Sequence, residues 1–538
     1  MRSLPRHIAN LLCKTFIFYD VSGIIVACFL VVSVKLTFFI LDPQPQLFLG
    51  DSISYLNTAI NGGIPNDRSF VYGFFIRYLT QNSHSLTPVV FAQILANIGV
   101  ALLAYYTTRT YFAVATPLAI AASCCCALDP MLLFYERSVM TETFSTFFFA
   151  ICLVLAFEYA AKPRLFKVVI SALFCTILIS LRITYLPVSF VICLLPSIYL
   201  LLSKSFMSKE EAEVNAKSSC KGWRLNKTIF LRYLAHFAVA VVCLHAFHVS
   251  YKHLNGCLLG RDAAYLHTDG LFMIAGFAPL ITSSDAPDER FASVIGDFDK
   301  AKLRDVTLRD WNRFCTGGLV AELAKAVPDQ YECNALAKKT VINTMLRAPL
   351  KVALFGCGVY LDYFDTSMLK KRILSGQGAE ADLPEPELAW LRDYFTLAVP
   401  ADWGKQLTIT KKYQMGLKYW NFVLVLGPII SVIGFFAARR KNAAAMLIIM
   451  LSSVAMMPAL CLFSVPVLRY FHPFGFVVPI LFATVLDQKL IDRSDCRNSH
   501  VLSDYAAHKL VKQAAEWKQE AIIQSNEALV QVSTTAAD

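Results

Sequence analysis

The sequence predicts an all-α, polytopic membrane protein with about ten transmembrane helices and a large extracytoplasmic segment of mixed polarity. Of its 538 residues, 56% are hydrophobic and only 17% are charged, whereas about a quarter of the residues in an average soluble protein are charged. The apolar residues fall in unbroken runs of about twenty, which is long enough for a helix to cross a bilayer. These two observations exclude an ordinary soluble globular protein.

Ten apolar runs are predicted to span the membrane: 21–41, 88–106, 111–128, 139–157, 165–181, 184–203, 228–248, 420–437, 443–463 and 471–486. Basic residues cluster within 2–14, at 109, and within 162–167, 204–227 and 439–441. If all ten helices are real, these loops fall on one side, which the positive-inside bias assigns to the cytoplasm. The net charge of +11 is therefore interpreted as loop charge and not as a sign of nucleic-acid binding.

This trace divides the chain into four parts. They are an N-terminal transmembrane module (1–248) with its first outer loop at 42–87, an extracytoplasmic and partly membrane-associated segment (249–419), the last transmembrane helices (420–487) and a cytoplasmic tail (488–538). Both termini are predicted to be cytoplasmic. The first apolar run is interpreted as a retained helix, because no signal-peptide cleavage site is evident before Asp51.

Two apolar stretches inside the extracytoplasmic segment, 271–281 and 352–361, are too short to span the membrane. They are compatible with an interfacial helix, a re-entrant helix or packing within the segment. Four cysteines of this segment would face an oxidising compartment, where a disulfide can form: Cys257, Cys315, Cys333 and Cys357. The chain has no cysteine or histidine spacing typical of a zinc site, so no metal or other cofactor is predicted.

Charged residues gather at the predicted outer ends of separate helices. They are Asp51 after the first helix, Arg68 and Arg77 in the first outer loop, Glu136, Arg137 and Glu142 at the fourth helix, Arg182 between the fifth and sixth, and Arg469 with His472 before the last. Charged groups at the membrane boundary are costly and by default mark a functional site. Because all of these residues fall on one face, the sequence predicts a single site there.

The residue types in this group suit the transfer of a sugar from a phosphorylated lipid. Arginine makes paired, charge-assisted bonds to phosphate oxygens and keeps its proton, and the candidates for this role are Arg182, Arg469, Arg137 and Arg77. A carboxylate can accept the proton of an attacking hydroxyl, a role predicted for Asp51. Glu136, Glu142 and Tyr55 are predicted to support it or to position the acceptor. No residue of the group is predicted to hold a metal.

Each of these residues also has a structural interpretation. Asp51 could serve only as a helix N-cap, and Glu136 with Arg137 could be a solvated surface pair of negligible worth. Arg182 and Arg469 could extend toward lipid head groups. Glu142 lies deeper in its helix, where a charge is expected to pair with an arginine.

Five short motifs resemble the GT-C class of integral-membrane glycosyltransferases. They are "GDSISYLN", "DRSFVYGFFIRYLT", "YERSVMTETFSTFFF", "LRITYLPVSF" and "LRYFHPFGFVVPILF". Within that class the chain looks most like the branch related to protein O-mannosyltransferases and lipid A aminoarabinose transferases. The resemblance covers residues 15–205 best and 420–487 more weakly. It implies a catalytic acid at Asp51, an arginine at Arg182, and a late Arg-Tyr pair at Arg469 and Tyr470.

The chain also departs from the pattern of that family. The best-known members carry an Asp-Glu pair where this chain has Asp51 followed by Ser52, and their Lys-Pro-Pro element is replaced by Arg68–Ser69 and Tyr72. The resemblance implies a polyprenyl-phosphate sugar donor, a membrane-lipid environment and an acceptor that is a glycan, a lipid or a protein. It also implies residence in a bacterial inner membrane.

The sequence therefore predicts a glycosyltransferase that acts on the extracytoplasmic face, with the segment 249–419 covering the site and selecting the acceptor. The main alternative is a transporter or flippase of lipid-linked or anionic substrates, which would use the same arginines without chemistry. Such a protein should carry ionisable residues near mid-membrane, and few are present apart from Glu142 and His245. A third alternative is a membrane scaffold whose outer segment binds a partner.

Overall fold

The computed structural model describes residues 6–48, 50–207, 224–225, 227–305, 308–378, 382–439, 441–463 and 467–490. The predicted cytoplasmic tail beyond 490 lies outside these residues, as do Arg2, Arg440 and most of the basic segment between 204 and 227. The chain divides into two compact units, Met1–Thr484 and Val485–Asp538. The fold core and the cavity belong to the first unit.

The described residues of the N-terminal part form ten helices. They are α1 (Arg6–Leu41), α2 (Asp51–Asn61), α3 (Phe70–Thr80), α4 (Thr87–Thr110), α5 (Thr116–Ala127), α6 (Pro130–Tyr135), α7 (Glu142–Ala161), α8 (Leu165–Leu181), α9 (Leu186–Ser205) and α10 (Lys227–Leu259). A 3₁₀ turn, Ile183–Tyr185, leads into α9, and the two-residue strands β1 (Phe206–Met207) and β2 (Arg224–Leu225) pair antiparallel after it.

Ten further helices follow between α10 and the last transmembrane helices. They are α11 (Asp269–Phe277), α12 (Glu289–Asp297), α13 (Lys300–Arg304), α14 (Arg309–Phe314), α15 (Leu319–Ala326), α16 (Gln330–Arg347), α17 (Pro349–Asp362), α18 (Thr366–Gly376), α19 (Glu385–Phe395) and α20 (Ile409–Gly416). Two 3₁₀ turns, Ser283–Asp285 and Ala401–Lys405, lie among them.

The C-terminal part contains α21 (Trp420–Val425), α22 (Gly427–Ala438), α23 (Ala443–Pro458) with a π-helical turn at Ala459–Phe463, a 3₁₀ turn at Leu468–Phe471, and α24 over 474–490. The prediction of an all-α, polytopic membrane protein is confirmed. Among the described residues, the regular secondary structure is helical apart from one two-stranded ribbon, and six helical segments are long and apolar enough to cross a membrane.

Six helical segments are long and apolar enough to cross a membrane: Val21–Leu41, Thr87–Thr110, Glu142–Ala161, Ile183–Ser203, Lys227–Leu259 and Ala443–Phe463. Three predicted spans correspond to shorter apolar helices, Thr116–Ala127, Leu165–Leu181 and Gly427–Ala438. The last predicted span corresponds to α24. Polar side chains on these helices bond within the bundle, as where Ser123 Oγ of α5 donates to the carbonyl oxygen of Ala101 on α4 (2.7 Å). Small residues and such bonds let apolar helices pack without a hydrophobic driving force.

The region between α10 and α21 has an apolar core of its own. Leu271, Ile274 and Phe277 of α11 are buried there against Leu323 of α15 and Val341 of α16. The first of the two short apolar stretches, 271–281, therefore packs inside this region. The second, 352–361, lies on α17, which is bent by 103° from α16.

The α10–α21 region is also bonded to the first loop, 42–87. Thr410 Oγ1 donates to Asp42 Oδ2 (2.6 Å) and Trp403 Nε1 donates to the Pro45 carbonyl oxygen (3.3 Å). Leu391 of α19 is buried in one apolar cluster with Leu56 of α2. These contacts attach the first loop, which carries Asp51, to the α10–α21 region.

Candidate functional site

The backbone at Gly50 presents the carboxylate of Asp51 at the start of α2. Gly50 has φ 80° and ψ −56°, a left-handed conformation that a residue with a Cβ adopts only at a cost. The hydroxyl of Ser52 accepts from the Phe48 amide (2.8 Å) and donates to the Val139 carbonyl oxygen (2.9 Å). Ser52 stands where the resembling family has the second acid of its pair, and here its fully buried side chain anchors the turn.

Two arginines hold the Asp51 carboxylate. Arg68 Nη1 donates to one oxygen, Oδ1, and Arg469 Nη1 donates to the other, Oδ2, at 2.7 Å. Burial opposes ionisation of Asp51, but the charges of Arg469, Arg68 and Arg182 outweigh it and hold the pKa of this carboxyl below its usual range. Asp51 is therefore an ionised, doubly paired carboxylate, and the interpretation of it as a plain N-cap is insufficient.

A second acid lies behind this pair. Glu142, at the first position of α7 and 1% exposed, pairs with Arg182, and its Oε1 lies 3.8 Å from Arg469 Nη1. Arg182 also lies over the ring of Tyr470 (4.9 Å to the centroid). Burial raises the pKa of the Tyr470 hydroxyl, but Arg469, Arg182 and Arg313 outweigh that effect and lower it. These groups therefore form one electrostatically coupled cluster.

His472 contacts the backbone of Arg469. The ring Nδ1 of His472 lies 2.6 Å from the carbonyl oxygen of Arg469, and its Nε2 contacts the hydroxyls of Ser145 (3.3 Å) and Tyr185 (3.2 Å). His472 is buried and does not line the cavity described next, so the structure gives it a positioning contact.

The cluster forms one wall of a cavity of about 560 Å³, a size within the range of small-molecule sites. Its charged lining consists of Asp51, Asp67, Arg68, Arg182, Asp310, Arg313 and Arg469. Its apolar lining includes Phe48, Ile179, Ile183, Phe272, Phe314 and Phe463. Ile179 belongs to the apolar helix α8 and Ile183 begins the span that contains α9. The cavity therefore combines paired carboxylate and guanidinium groups with apolar side chains, some of them on membrane helices.

The structure brings Asp51, Tyr55, Arg182 and Arg469 together in this cavity, with Glu142 directly behind Arg182. Tyr55 is one turn along α2 from Asp51 and packs edge-on against Tyr72, with ring centroids 4.9 Å apart. Asp51 and Arg469 are separated by 418 positions in the chain, so no local pattern relates them.

Three of the predicted residues lie elsewhere. Glu136 and Arg137 are fully buried and do not line the cavity. Glu136 Oε2 instead accepts from Lys35 Nζ (2.8 Å) and from Asn97 Nδ2 (2.6 Å). The interpretation of Glu136 and Arg137 as a solvated surface pair is therefore wrong, because the packing of α1, α4 and α6 buries both side chains. Arg77 also does not line the cavity. Its Nη1 lies beside Gly62, 2.5 Å from the place that a Cβ would occupy there.

Two cavity arginines were not predicted as site residues. Arg68 lies 17 positions after Asp51, and the sequence places it in the charged group of the first loop without assigning it the phosphate-binding role that is predicted for Arg77. Arg313 lies on α14, in a segment without a recognised motif. The available signal for Arg68 was its place before Ser69, which caps α3 by accepting from the Val71 amide (3.2 Å) and so fixes the direction of the chain at Arg68.

The described residues contain no group of three or more His, Cys, Asp or Glu side chains placed to bind a metal. The thirteen cysteines whose side chains the structure describes are free thiols, among them Cys257, Cys315, Cys333 and Cys357. The polar side chains that line the cavity are carboxylates, guanidinium groups and the hydroxyls of serine, threonine and tyrosine.

Comparison with known proteins gives limited further information. No protein-family model matches the chain, and no curated protein matches its sequence. Among solved structures, the chain is similar to ArnT from Cupriavidus metallidurans bound to undecaprenyl phosphate. The match has 11% sequence identity, covers 88% of this chain and 78% of that chain, and has a TM-score of 0.26. A TM-score of this size does not by itself establish a shared fold.

Proposed function

We propose that this protein is a membrane glycosyltransferase that moves a sugar from a polyprenyl-phosphate donor to a hydroxyl group of an acceptor. The observation that carries the proposal is the position of Asp51 between Arg68 and Arg469, in a cavity that is lined by both charged and apolar side chains. A lipid phosphate has the same two-part character. The acceptor, a glycan, a lipid or a protein, approaches on the extracytoplasmic face if the positive-inside assignment holds.

In the proposed reaction Asp51 acts as general base. The acceptor oxygen attacks the anomeric carbon, and its proton passes to a carboxylate oxygen of Asp51. The bond between the anomeric carbon and the phosphate oxygen breaks, and its electron pair stays on the phosphate. The leaving phosphate thus gains one negative charge in the step in which Asp51 loses one.

This exchange of charge gives Arg68 and Arg469 a second role. When Asp51 is neutralised, the hydrogen bonds of both guanidinium groups are free to turn to the phosphate, whose charge has just increased. Donors that are placed where charge develops stabilise a transition state more than a ground state. The same two arginines therefore hold the base before the reaction and the leaving group after it.

The strong pairing of Asp51 makes it a weak base in the empty cavity, since an efficient general base has a pKa near the working pH. Binding of the donor phosphate relieves this condition. A phosphate that accepts hydrogen bonds from Arg68 and Arg469 weakens their hold on Asp51, so its basicity rises only when the donor is present. The arrangement opposes unproductive activation of water in the empty site.

Helix α10 and the α10–α21 region supply a further part of the lining. Tyr251 and Tyr265 line the cavity with stacked rings whose centroids are 5.2 Å apart, and Tyr251 Oη lies 3.2 Å from Ser69 Oγ of the first loop. Aromatic faces and hydroxyls in one wall suit the mixed surface of a sugar ring. We assign acceptor or sugar selection to this wall.

The test is an Asp51→Asn variant, assayed in membranes supplied with labelled lipid-linked sugars. We expect turnover to fall by about 10²–10⁴-fold, the usual contribution of general acid–base catalysis. Asp269→Asn is the matched control, because Asp269 pairs with Lys338 (2.6 Å) outside the cavity. Normal insertion with undiminished sugar transfer by Asp51→Asn would refute the proposal. Lipid-phosphate binding with no turnover in the wild-type protein would favour the flippase alternative.

A further inference from the structure

The guanidinium group of Arg313 differs from the other three arginines of the cavity. Arg68 and Arg469 hold Asp51, and Arg182 holds Glu142. Arg313 makes no ion pair with any carboxylate of the described residues, although it lines the same cavity. An incoming anion must therefore compete with carboxylates for the first three arginines but not for Arg313.

The surroundings of Arg313 hold its side chain in place without satisfying its polar atoms. The guanidinium carbon lies 3.5 Å from the ring centroid of Phe272 and 4.7 Å from that of Phe314. Its Nε is shielded from solvent and has no hydrogen-bond partner among the described residues. Burial of the group lowers its pKa, and a desolvated charge is costly until an anion or acceptor pairs with it.

Stacking on phenylalanine also leaves the edge of the guanidinium plane free. That edge carries the N–H donors, and it matches the geometry of phosphate oxygens. Phe272 and Phe314 provide apolar surface beside the same edge, as an isoprenoid chain attached to a phosphate requires. The chemistry around Arg313 therefore fits an amphiphilic monoanion better than free phosphate.

We propose that Arg313 is the first anchor of the donor phosphate and determines the affinity of the site for lipid phosphates. This inference rests on the proposed function for the identity of the donor, but not for the binding itself. In this view Arg313 gives all of its hydrogen bonds to the bound phosphate, whereas Arg68 and Arg469 divide theirs between the phosphate and Asp51 until Asp51 is neutralised. Loss of Arg313 should raise KM for the donor, and loss of Arg68 should mainly lower kcat.

The direct test is binding of farnesyl phosphate to the full-length protein in phosphatidylcholine nanodiscs. We expect Arg313→Gln to weaken binding by at least about tenfold, in line with a charge-assisted hydrogen bond, and Arg313→Lys to have an intermediate effect. Farnesol tests the apolar contribution and should bind all variants equally. Inorganic phosphate tests the source of the anion and should bind much more weakly than farnesyl phosphate.

Arg261→Gln is the matched control, because Arg261 also stacks on an aromatic ring, Tyr331 (4.0 Å to the centroid), but is exposed and outside the cavity. It should bind farnesyl phosphate like the wild type. Equal affinity of Arg313→Gln and wild type would overturn the proposal, and so would equal losses in Arg313→Gln and Arg261→Gln. Arg313→Lys retains the charge and serves the same comparison if Arg313→Gln does not fold.

The outcome separates the two proposals. If Arg313→Gln loses farnesyl phosphate while Asp51→Asn keeps full turnover of lipid-linked sugars, the anchor stands and the assignment of the base fails. If Asp51→Asn abolishes turnover while Arg313→Gln binds farnesyl phosphate normally, the glycosyltransferase proposal stands and the anchor is refuted.

Discussion

Replacing Glu136 with glutamine should destabilise the protein while leaving its cavity functional. Glu136 is completely buried between helices, and its carboxylate accepts from Lys35 Nζ (2.8 Å) and Asn97 Nδ2 (2.6 Å). Lys35 is itself 1% exposed. Glutamine has the same shape, and its carbonyl oxygen can accept both bonds, but it leaves the lysine without its counter-charge.

The size of the effect follows from this geometry. At an effective dielectric constant of about 20, two unit charges 2.8 Å apart attract by about 6 kcal/mol. Removing one partner of a buried pair typically costs about 3–5 kcal/mol, because the remaining charge is left uncompensated. One kcal/mol shifts Tm by about 2–4 °C in domains of 150–250 residues and by less in larger ones. We therefore expect Glu136→Gln to lower Tm by roughly 5 °C.

The assay is thermal unfolding of the purified protein in detergent, followed by farnesyl phosphate binding well below Tm. The matched control is Glu322→Gln, since Glu322 pairs with Lys325 (2.7 Å) on an exposed helical surface and should change stability by less than about 1 kcal/mol. A wild-type Tm for Glu136→Gln would refute the reasoning about the buried pair. Loss of farnesyl phosphate binding in the folded variant would show that Glu136 contributes to the site.

Four further predictions concern the cavity and its surroundings. Arg469 and Arg68 overcome the burial of Asp51 and hold its pKa low. These pairs therefore stabilise the protein above the unfolded pKa of about 3.9, and this contribution is lost as pH falls toward the folded pKa. The Tm difference between wild type and Asp51→Asn should be constant from pH 7 to 5 and shrink below about pH 4. Gly50→Ala should cost about 1–3 kcal/mol and reduce sugar turnover at normal expression, because φ at this position is 80°; unchanged melting and turnover would contradict the role of this turn. Arg77→Gln should bind farnesyl phosphate like wild type, since Arg77 does not line the cavity; a weakened affinity would show otherwise. Tryptophan at Leu354, which is 63% exposed on a helix packed against the end of the span Ala443–Phe463, should be quenched by spin-labelled lipid in nanodiscs, and an unquenched signal would exclude lipid contact at this face.

Much of the fold could be predicted from the sequence because a membrane span is a local property. A run of about twenty apolar residues must satisfy its backbone hydrogen bonds internally, so composition alone gives the helix. The shortest elements escaped this reasoning. The predicted span over 111–128 corresponds to a helix of only twelve residues, Thr116–Ala127, with Pro117 in its first turn. The helix starts late because the chain turns at Ala113, where φ is 48°.

The location of the short apolar stretch 271–281 could not be predicted from local sequence. The sequence could not decide whether 271–281 lay in the membrane interface or inside the segment, since an apolar helix suits either place. The structure places it in the core of the α10–α21 region, where Phe277 is fully buried. The decision depended on which partners were available, among them Leu323 and Val341, and such partners have no regular spacing relative to it.

The site was predicted in part for the same reason. Charges at helix ends are visible in the sequence, so Asp51, Glu142, Arg182 and Arg469 could be selected by position. The sequence could not distinguish them from Glu136 and Arg137, which are charged residues at an equivalent boundary. Their position relative to the cavity separates the two groups, because Glu136 pairs with Lys35 inside the bundle whereas Asp51 lines the cavity.

By itself, then, the sequence determined the class of the protein and the charged residues that lie at the ends of its helices, because hydrophobic length and the cost of charge in a membrane act on each segment separately. Only the tertiary structure decided which charges meet. It brings Asp51 within 2.7 Å of Arg469 and adds Arg68 and Arg313, since the contact of a carboxylate with a guanidinium group depends on the packing of helices that are hundreds of residues apart in the chain.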